Sequence, residues 1–237
     1  MATRIDREQV VGTALRVLND VGLEGLTLRR IANELGVQAP ALYWHVKSKQ
    51  DLLDEMATEL LRRAALDFDE AREGGGGEDI GASGASGGDR TGEGSAPGWQ
   101  EPYAQAMRSL RRVLLRYRDG GKVFGGTRFR GTEYGAHMDR QFAALTEAGF
   151  ELRAAARAVM TAYAYTIGYV VEEQSTRGDM VTGEGGFDVD VRAERLREHP
   201  LAAAAGYEMF TEYDDGFEAG LAAIAAGVEA TLLRKNR

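Results

Sequence analysis

Residues 26–53 read LTLRRIANELGVQAPALYWHVKSKQDLL, and this stretch decides the fold. Thr27 is a preferred N-cap residue, and a helical repeat of apolar residues follows it. Gly36 permits the left-handed conformation that ends such a helix, and Pro40 is tolerated in the first turn of the next one. Two short helices joined by a tight turn are typical of the helix-turn-helix motif, whose second helix enters the major groove of DNA.

The sequence on either side of this motif predicts further helices. In the first part of the chain, the predicted helices span residues 7–21, 28–35, 40–46 and 49–71. Ser48 and Asp51 have the spacing of a capping box, which begins the last of these helices. A helix of this length measures roughly 30 Å and can join two domains.

Residues 71–98 interrupt the helical pattern, since eleven of these twenty-eight residues are glycine. Such a segment cannot bury enough surface to offset the entropy of ordering it, which predicts a flexible insertion over residues 72–98. Helical patterning resumes at Trp99. The later helices are predicted over residues 102–117, 133–148, 152–177, 192–199 and 214–236, with a loop over 178–192.

No segment alternates apolar and polar residues as a strand does, so we predict an all-α protein. The predicted organisation is a three-helix helix-turn-helix domain at residues 1–48, a connecting helix at 49–71, the Gly-rich insertion at 72–98 and a C-terminal helical domain at 99–237.

The composition narrows the class of protein. The chain has no cysteine, which excludes disulfides, thiolate catalysis and Cys-ligated zinc. There is no apolar run of about 18 residues and no apolar segment typical of a signal peptide, so we expect a cytoplasmic protein without membrane contact. The formal net charge is −8, but residues 1–50 carry +2 and the remainder carries −10. A basic module on an acidic body suits a protein that binds DNA selectively.

The last predicted helix carries an apolar stripe with glycines beside it. The stripe consists of Phe217, Leu221, Ile224, Val228 and Leu232, and the glycines are Gly216, Gly220 and Gly227. The stripe is either a core contact within one chain or part of a four-helix bundle made by two copies. In the second interpretation, residues 152–177 and 214–236 form a homodimer interface.

Four strings share their order and spacing with a known family. They are GLEGLTLRRIANELGV at residues 22–37, LYWHVKSKQDLLD at 42–54, RDGGKVFGGTR at 118–128 and VVEEQ at 170–174. Through them the chain resembles the TetR family of repressors over nearly all of its length outside the Gly-rich insertion. The resemblance implies a homodimer that binds a palindromic, double-stranded DNA operator. It also implies that a small-molecule effector in the C-terminal ligand-binding and dimerisation domain tilts the connecting helix and releases the operator, with an exporter gene as the expected target.

The residues predicted to contact DNA come from the second and third helices and the segment after them. They are Thr27, Arg29, Gln38, Ala39, Pro40, Ala41, Tyr43, Trp44, His45 and Lys49. A recognition helix presents its N-terminal residues to base edges, and arginine can bind guanine through two hydrogen bonds. The resemblance implies that Arg29 reads guanine and that Pro40 packs on thymine methyl groups. It places Thr27, Tyr43 and Lys49 on phosphates.

Several residues of this segment depart from the family pattern or allow two interpretations. Ala39 and Ala41 stand where tetracycline-responsive members have polar residues, so we expect a related but different operator. Leu42 is expected in the core. We expect Trp44 to pack and support the backbone rather than stack on bases. His45 either contacts a phosphate or stays solvated.

The residues predicted to surround the effector lie in the C-terminal domain. They are Tyr103, Ala106, Leu110, Phe124, Thr127, Arg128, Phe129, Tyr134, His137, Gln141, Tyr165, Tyr169 and Glu172. By resemblance, Thr127, Arg128 and Gln141 match pocket residues of the tetracycline-binding members, and Glu172 matches one that helps hold their magnesium through water. The aromatic residues either surround a large aromatic compound or belong to the core.

Substitutions in the same region indicate a different effector. Phe124 replaces the histidine that ligates magnesium in the tetracycline-binding members, Ala65 and Ala106 replace residues that hydrogen-bond tetracycline, and Leu110 replaces an aromatic residue. Without an imidazole ligand, a magnesium–tetracycline chelate loses its anchor. We therefore expect neither a metal nor a cofactor, and a large aromatic, polyketide-like antibiotic as the effector.

Three patterns that could indicate catalysis are weak. A G-x-S-x-G string at residues 84–88 lacks the strand and helix that a nucleophile elbow needs. Glu133 and His137 are two metal-ligand types without a third. Glu172 and Glu173 point in different directions on a helix and have no evident partner base. We predict that the chain is not an enzyme. A DNA-binding or architectural protein without a ligand switch is the alternative to a repressor, and activation instead of repression stays open.

Overall fold

The computed structural model describes residues 5–74, 98–132, 134–178 and 186–233, and regular structure within these ranges is helical, which confirms the all-α prediction. The described helices are α1 (Arg7–Gly25), α2 (Leu28–Glu34), α3 (Ala39–Leu42), α4 (Lys49–Gly74), α5 (Gln100–Leu115), α6 (Gly120–Phe124), α7 (Gly135–Glu147), α8 (Leu152–Thr176), α9 (Val189–Arg195), α10 (Pro200–Phe210) and α11 (Tyr213–Leu232).

Side-chain caps begin the first two helices. The Asp6 carboxylate accepts a hydrogen bond from the Gln9 N–H at 2.8 Å, and the Gln9 side chain accepts one from the Asp6 N–H at 3.0 Å. The Thr27 hydroxyl accepts a hydrogen bond from the Arg30 N–H at 3.2 Å. Gly22 interrupts α1 with a φ of 68°, a conformation that favours glycine.

The recognition helix α3 is shorter than predicted. Its regular part ends at Leu42, although the Val46 N–H still donates to the Leu42 carbonyl at 2.9 Å, so helical hydrogen bonding continues into the next turn. The Ser48 hydroxyl accepts from the Asp51 N–H at 3.0 Å and begins α4 as predicted. The Asp51 carboxylate accepts a hydrogen bond from the Lys47 N–H at 2.8 Å, and not from the Ser48 N–H as in a capping box.

One apolar core extends from the helix-turn-helix into the C-terminal domain. It is made of buried residues from α1 to α6 and from α8, among them Leu18, Ile31, Leu42, Met56, Leu60, Leu114, Phe124 and Val170. Helix α4 contributes to this core along its first half, so it packs on the helix-turn-helix as well as on α5 and α6.

A second core joins the end of α4 with α5, α7, α8 and α11. The apolar stripe of α11 belongs to it, since Phe217, Leu221 and Val228 are buried within one chain. The Tyr165 hydroxyl occupies the space that a Cβ at Gly220 would need, so this glycine lets Tyr165 approach α11. Phe217, Leu221 and Val228 therefore have a core role within one chain, and a dimer interface on these helices stays a prediction.

Several helix boundaries differ from the predictions. The helix predicted over residues 102–117 is followed by α6, which was not predicted. Asp119 takes a left-handed φ of 57° and redirects the chain into α6. Helix α9 begins at Val189, inside the predicted loop 178–192, and the Ala-rich α10 was missed. An alanine-rich sequence forms helix readily but carries little apolar periodicity.

Parts of several predictions lie outside the described residues. They are the Gly-rich insertion apart from its ends, the G-x-S-x-G string, Glu133 and Asn236. Among the described helices, none is both long enough and apolar enough to cross a bilayer.

Candidate DNA-binding surface and ligand cavity

The residues predicted to contact DNA are accessible to it. Thr27, Arg29, Gln38, Pro40, Tyr43, Trp44 and Lys49 are exposed, and Ala39, Ala41 and His45 are half-buried. The Arg29 guanidinium has no hydrogen-bond or ion-pair partner within the described parts of the chain, so it is available to a base edge or a phosphate. Leu42 is fully buried, as expected.

Trp44 does not have the packing role predicted for it. Its side chain is 89% exposed, and Tyr43 beside it is 56% exposed. The prediction was wrong because the sequence gives the hydrophobicity of Trp44 but not the direction in which the turn after α3 points it.

Two predicted phosphate contacts already have partners within the chain. The Thr27 hydroxyl accepts from Arg30, which leaves its hydrogen free to donate to a phosphate. The Lys49 ammonium donates to the Leu23 carbonyl at 3.1 Å and has two further hydrogens.

Hydrogen bonds tie the end of α1 to the turn between α5 and α6. The Asp119 carboxylate accepts from the Leu23 N–H at 2.9 Å, and the Asn19 side-chain oxygen accepts from the Arg118 N–H at 2.8 Å. Burial opposes ionisation of Asp119, but the Leu23 N–H and the Lys122 ammonium outweigh it and lower the pKa of the carboxyl. We call these contacts of Asn19 and Asp119 the α1–α6 latch.

A partly open cavity lies in the C-terminal domain among α4, α5, α7 and α8, and we call it the α4–α8 cavity. Its volume is about 60 Å³. It is lined by Phe68, Arg72, Trp99, Pro102, Tyr103, Ala106, Met107, His137, Arg140, Gln141, Ala144, Leu145 and Val159. Four predicted effector residues, Tyr103, Ala106, His137 and Gln141, are therefore brought together.

The polar groups of the cavity are not all satisfied. Gln141 Nε2 lies 2.9 Å from His137 Nε2, and the Tyr103 hydroxyl donates to the Ala158 carbonyl at 2.6 Å. Within the described residues, His137 Nδ1 and Trp99 Nε1 are buried without a hydrogen-bond partner. Burial, and next the positive charge of Arg140, lower the pKa of His137, which favours the neutral ring. Burial also raises the pKa of Tyr103 to about 12.

Sequence reasoning missed several lining residues. Trp99 and Met107 share the face of α5 that carries Tyr103 and Ala106, because positions 99, 103, 106 and 107 follow helical spacing. Phe68 comes from the far end of α4 and packs edge-to-face on His137, with ring centroids 5.6 Å apart. The spacing on α5 could have indicated Trp99 and Met107, whereas the position of Phe68 depends on tertiary packing.

Three predicted aromatic residues form a row that does not line this cavity. The Phe124 ring lies 5.4 Å from that of Phe129, which lies 5.5 Å from Tyr134. Phe124 is fully buried, and Leu110 is 3% exposed in the same core. These contacts support the core interpretation for Phe124 and Leu110.

The remaining predicted effector residues also lie elsewhere. Thr127 donates to the Phe124 carbonyl at 2.8 Å, and the Arg128 side chain is exposed. The Tyr165 ring stacks on Phe217 at 5.5 Å, and the Tyr169 hydroxyl donates to the Tyr213 carbonyl at 2.9 Å, so both tyrosines bind α8 to α11. For these residues, contact with an effector stays a prediction.

The acidic residue that the structure singles out is Glu173, not Glu172. Glu172 is exposed, and its carboxylate has no partner in the described part of the chain. The Glu173 carboxylate is fully buried and accepts from Arg111 at 2.9 and 3.0 Å and from Arg177 at 2.6 Å. Arg111 also pairs with Asp214 at 2.7 Å. This network connects α5, α8 and α11.

Comparison with protein families covers both parts of the chain. Residues 10–56 match the family described as bacterial regulatory proteins, tetR family, and residues 91–232 match the tetracyclin repressor-like C-terminal domain. The chain is 35% identical over 238 residues to the tetracycline repressor protein class C of Escherichia coli, with 98% of this chain and 94% of that protein covered.

Solved structures with the same architecture include one from Streptomyces coelicolor A3(2), described as a possible TetR family transcriptional regulator. It is 34% identical, with a TM-score of 0.72, and the match covers 95% of this chain and 99% of that one. A TetR variant from Acinetobacter baumannii AYE in complex with minocycline is 26% identical, with a TM-score of 0.66 and coverage of 98% and 100%. Family matches over both domains, together with this identity over almost the full length, show that the chain belongs to the TetR family, whose members are transcriptional regulators and not enzymes.

Proposed function

We propose that the chain is a homodimeric, cytoplasmic repressor that leaves a palindromic operator when a small molecule enters the α4–α8 cavity. The observation that carries this proposal is that one helix serves both sites. Helix α4 begins against the DNA-binding helices at Lys49 and lines the cavity at Phe68 and Arg72. An occupant that displaces Phe68 therefore acts on the element that positions the DNA-binding surface.

The size of the cavity supports a coupled change of shape. Pockets for drug-sized ligands measure about 300–1,000 Å³, whereas this cavity measures about 60 Å³. A ligand must therefore push its walls apart, and α4 is one of those walls. The ligand lowers operator affinity only if it binds the expanded state more tightly than the DNA-binding state.

The DNA-binding surface supports recognition of two half-sites. Each α3 is too short to bury much surface, so two copies about 34–36 Å apart are needed on one face of the duplex. In this proposal Arg29 reads guanine, and Ala39 and Ala41 supply no polar contact to bases. The operator therefore differs from those of the tetracycline-responsive relatives. An exporter gene is the target that we propose.

The residues at the family's magnesium–tetracycline site do not fit that ligand. Phe124 is fully buried and lies 5.8 Å from Tyr163 between ring centroids, so it offers neither a donor atom nor free space. The Thr127 hydroxyl donates its hydrogen to a backbone carbonyl, so it has none left to donate to a ligand. We propose a metal-free, aromatic, polyketide-like effector, and no step of the switch involves a metal or cofactor.

An operator is first selected from random DNA duplexes by its binding to the protein. Its release on addition of a compound is then measured by the fluorescence anisotropy of the labelled duplex. Aromatic antibiotics should release the duplex in buffer with a chelator of divalent cations. Tight tetracycline binding that requires magnesium would contradict the proposed effector class.

The small cavity also favours a second candidate, a DNA-binding regulator without a ligand switch. In that case no compound that binds the protein would change operator affinity.

A further inference from the structure

The α4–α8 cavity is apolar apart from a few groups, and two of these lack partners. Trp99 is 4% exposed, and its Nε1–H has no acceptor within the described residues. His137 Nδ1 is likewise buried without a partner there. Folded proteins rarely leave buried polar groups unsatisfied, and the exceptions call for an explanation. Both side chains line the same cavity, and a ligand that widens it can reach and satisfy both nitrogens.

The contact with Gln141 determines which atom of His137 carries hydrogen. Gln141 Nε2 faces His137 Nε2 at 2.9 Å, and an amide nitrogen can only donate. With the Gln141 amide in the orientation that the structure gives it, His137 Nε2 accepts, and the hydrogen of the neutral ring lies on Nδ1. Trp99 Nε1 is always a donor. The cavity thus presents two donors and no matching acceptor.

The other lining groups indicate the shape and charge of an occupant. Phe68, Trp99 and Tyr103 supply aromatic surface, and the Tyr103 hydroxyl is already used on a backbone carbonyl. At the rim, Arg140 pairs with Asp69 at 3.1 Å, whereas Arg72 lies over the Phe68 ring at 5.7 Å and has no acidic partner among the described residues. This surplus positive charge favours a neutral or anionic ligand.

We propose that the cavity binds planar aromatic ligands whose quinone, ketone or phenolate oxygens accept hydrogen bonds from Trp99 Nε1–H and His137 Nδ1–H. The inference rests on the proposed function, because the same cavity is the effector site there. It goes further by naming the recognised chemistry and the two residues that select it.

The test compares two probes of the same outline in buffer with EDTA. The probe 1,4-naphthoquinone carries acceptor oxygens at positions 1 and 4, whereas 1,4-dimethylnaphthalene has methyl groups in their place. The quinone should bind more tightly in calorimetry. Trp99→Phe and His137→Phe should each lower the ratio of quinone affinity to hydrocarbon affinity by about 3- to 10-fold, the range expected for one hydrogen bond.

A second measurement on the unaltered protein does not depend on the variants folding. The chain has two tryptophans, so a ¹H–¹⁵N spectrum shows two indole N–H signals. Saturation with the quinone should move the Trp99 signal downfield and leave that of the exposed Trp44 in place. An unmoved Trp99 signal, equal affinity for the two probes, or no quinone binding would overturn the inference.

Operator release, measured in parallel, separates this inference from the proposed function. If the quinone binds through both donors but the operator stays bound, the proposed ligand-induced release is wrong and the proposed ligand recognition is supported. If other compounds release the operator but acceptor oxygens do not change the affinity for the cavity, the proposed release is supported and the proposed ligand recognition is wrong.

Discussion

The buried ion network around Glu173 gives the sharpest stability prediction. The change is Glu173→Gln, which keeps the shape of the side chain and removes its charge. Glu173 is fully buried, and the Arg111 side chain that it holds is 10% exposed. The substitution leaves Arg111 with Asp214 as its remaining acidic partner, and that side chain is 82% exposed.

The expected loss follows from this geometry. Removing one partner of a buried ion pair typically costs about 3–5 kcal/mol, because the other charge is left uncompensated. Asp214 and the new amide oxygen still contact Arg111, so we expect a loss of about 3 kcal/mol in the free energy of unfolding. For a chain of this size, that loss corresponds to a fall in Tm of roughly 6–12 °C.

The chain offers a matched control in the neighbouring residue. Glu172→Gln removes the same charge from the same helix, but Glu172 is exposed, so its Tm should stay close to that of the parent protein. Both variants are melted by circular dichroism at the same protomer concentration, because dimerisation makes Tm depend on concentration. Equal Tm values for the two variants would refute the reasoning about the network.

Three further predictions concern DNA binding, coupling and pH. Arg29→Ala should weaken operator binding by about 1–3 kcal/mol per half-site but nonspecific binding much less. Arg30→Ala is the matched control, because it removes the same charge from an exposed neighbour without a predicted base contact and should therefore not affect the operator selectively. Anisotropy with operator and scrambled duplexes measures both affinities, and equal loss for Arg29→Ala contradicts a base-reading role. Asp119→Asn weakens the hydrogen bond of the α1–α6 latch at Leu23, so the ratio of effector affinities with and without operator should move toward one. An unchanged ratio would show that the latch does not couple effector binding to operator binding. Because the pKa of folded His137 lies below its usual 6.5, the unfolded chain binds more protons there, and the free energy of unfolding should fall as pH drops below 6.5. Urea midpoints measured at several pH values should fall less steeply for His137→Phe than for the parent protein. Parallel curves for the two proteins would contradict this prediction.

Local signals in the sequence predicted local features well. The positions of Thr27, Ser48 and Gly36 were sufficient to place the helix-turn-helix and the start of α4, because caps and left-handed turns depend on neighbouring residues alone. The exposure of Trp44 was not predictable in this way, because it depends on how the turn after α3 is held against the rest of the module.

The ligand cavity was predicted only in part, for a related reason. Tyr103 and His137 were identified among the aromatic candidates, and Ala106 and Gln141 were identified by resemblance. Phe124 was assigned to the same site but is buried in the core that joins the two domains. Phe68 lies at the far end of α4. It lines the cavity only because of how α4, α5 and α7 pack together, which no local sequence pattern encodes.

The central claim is that an occupied cavity moves the two DNA-binding surfaces of the dimer. The chain has no cysteine, so Asn33→Cys introduces a single spin-label site on exposed α2 in each copy, outside the predicted DNA contacts. Double electron–electron resonance then measures the distance between the two labels with operator, with an effector that releases it, and with neither. The account predicts one narrow distance on the operator and a displaced distribution with the effector. Superimposable distributions with and without a saturating effector would contradict it.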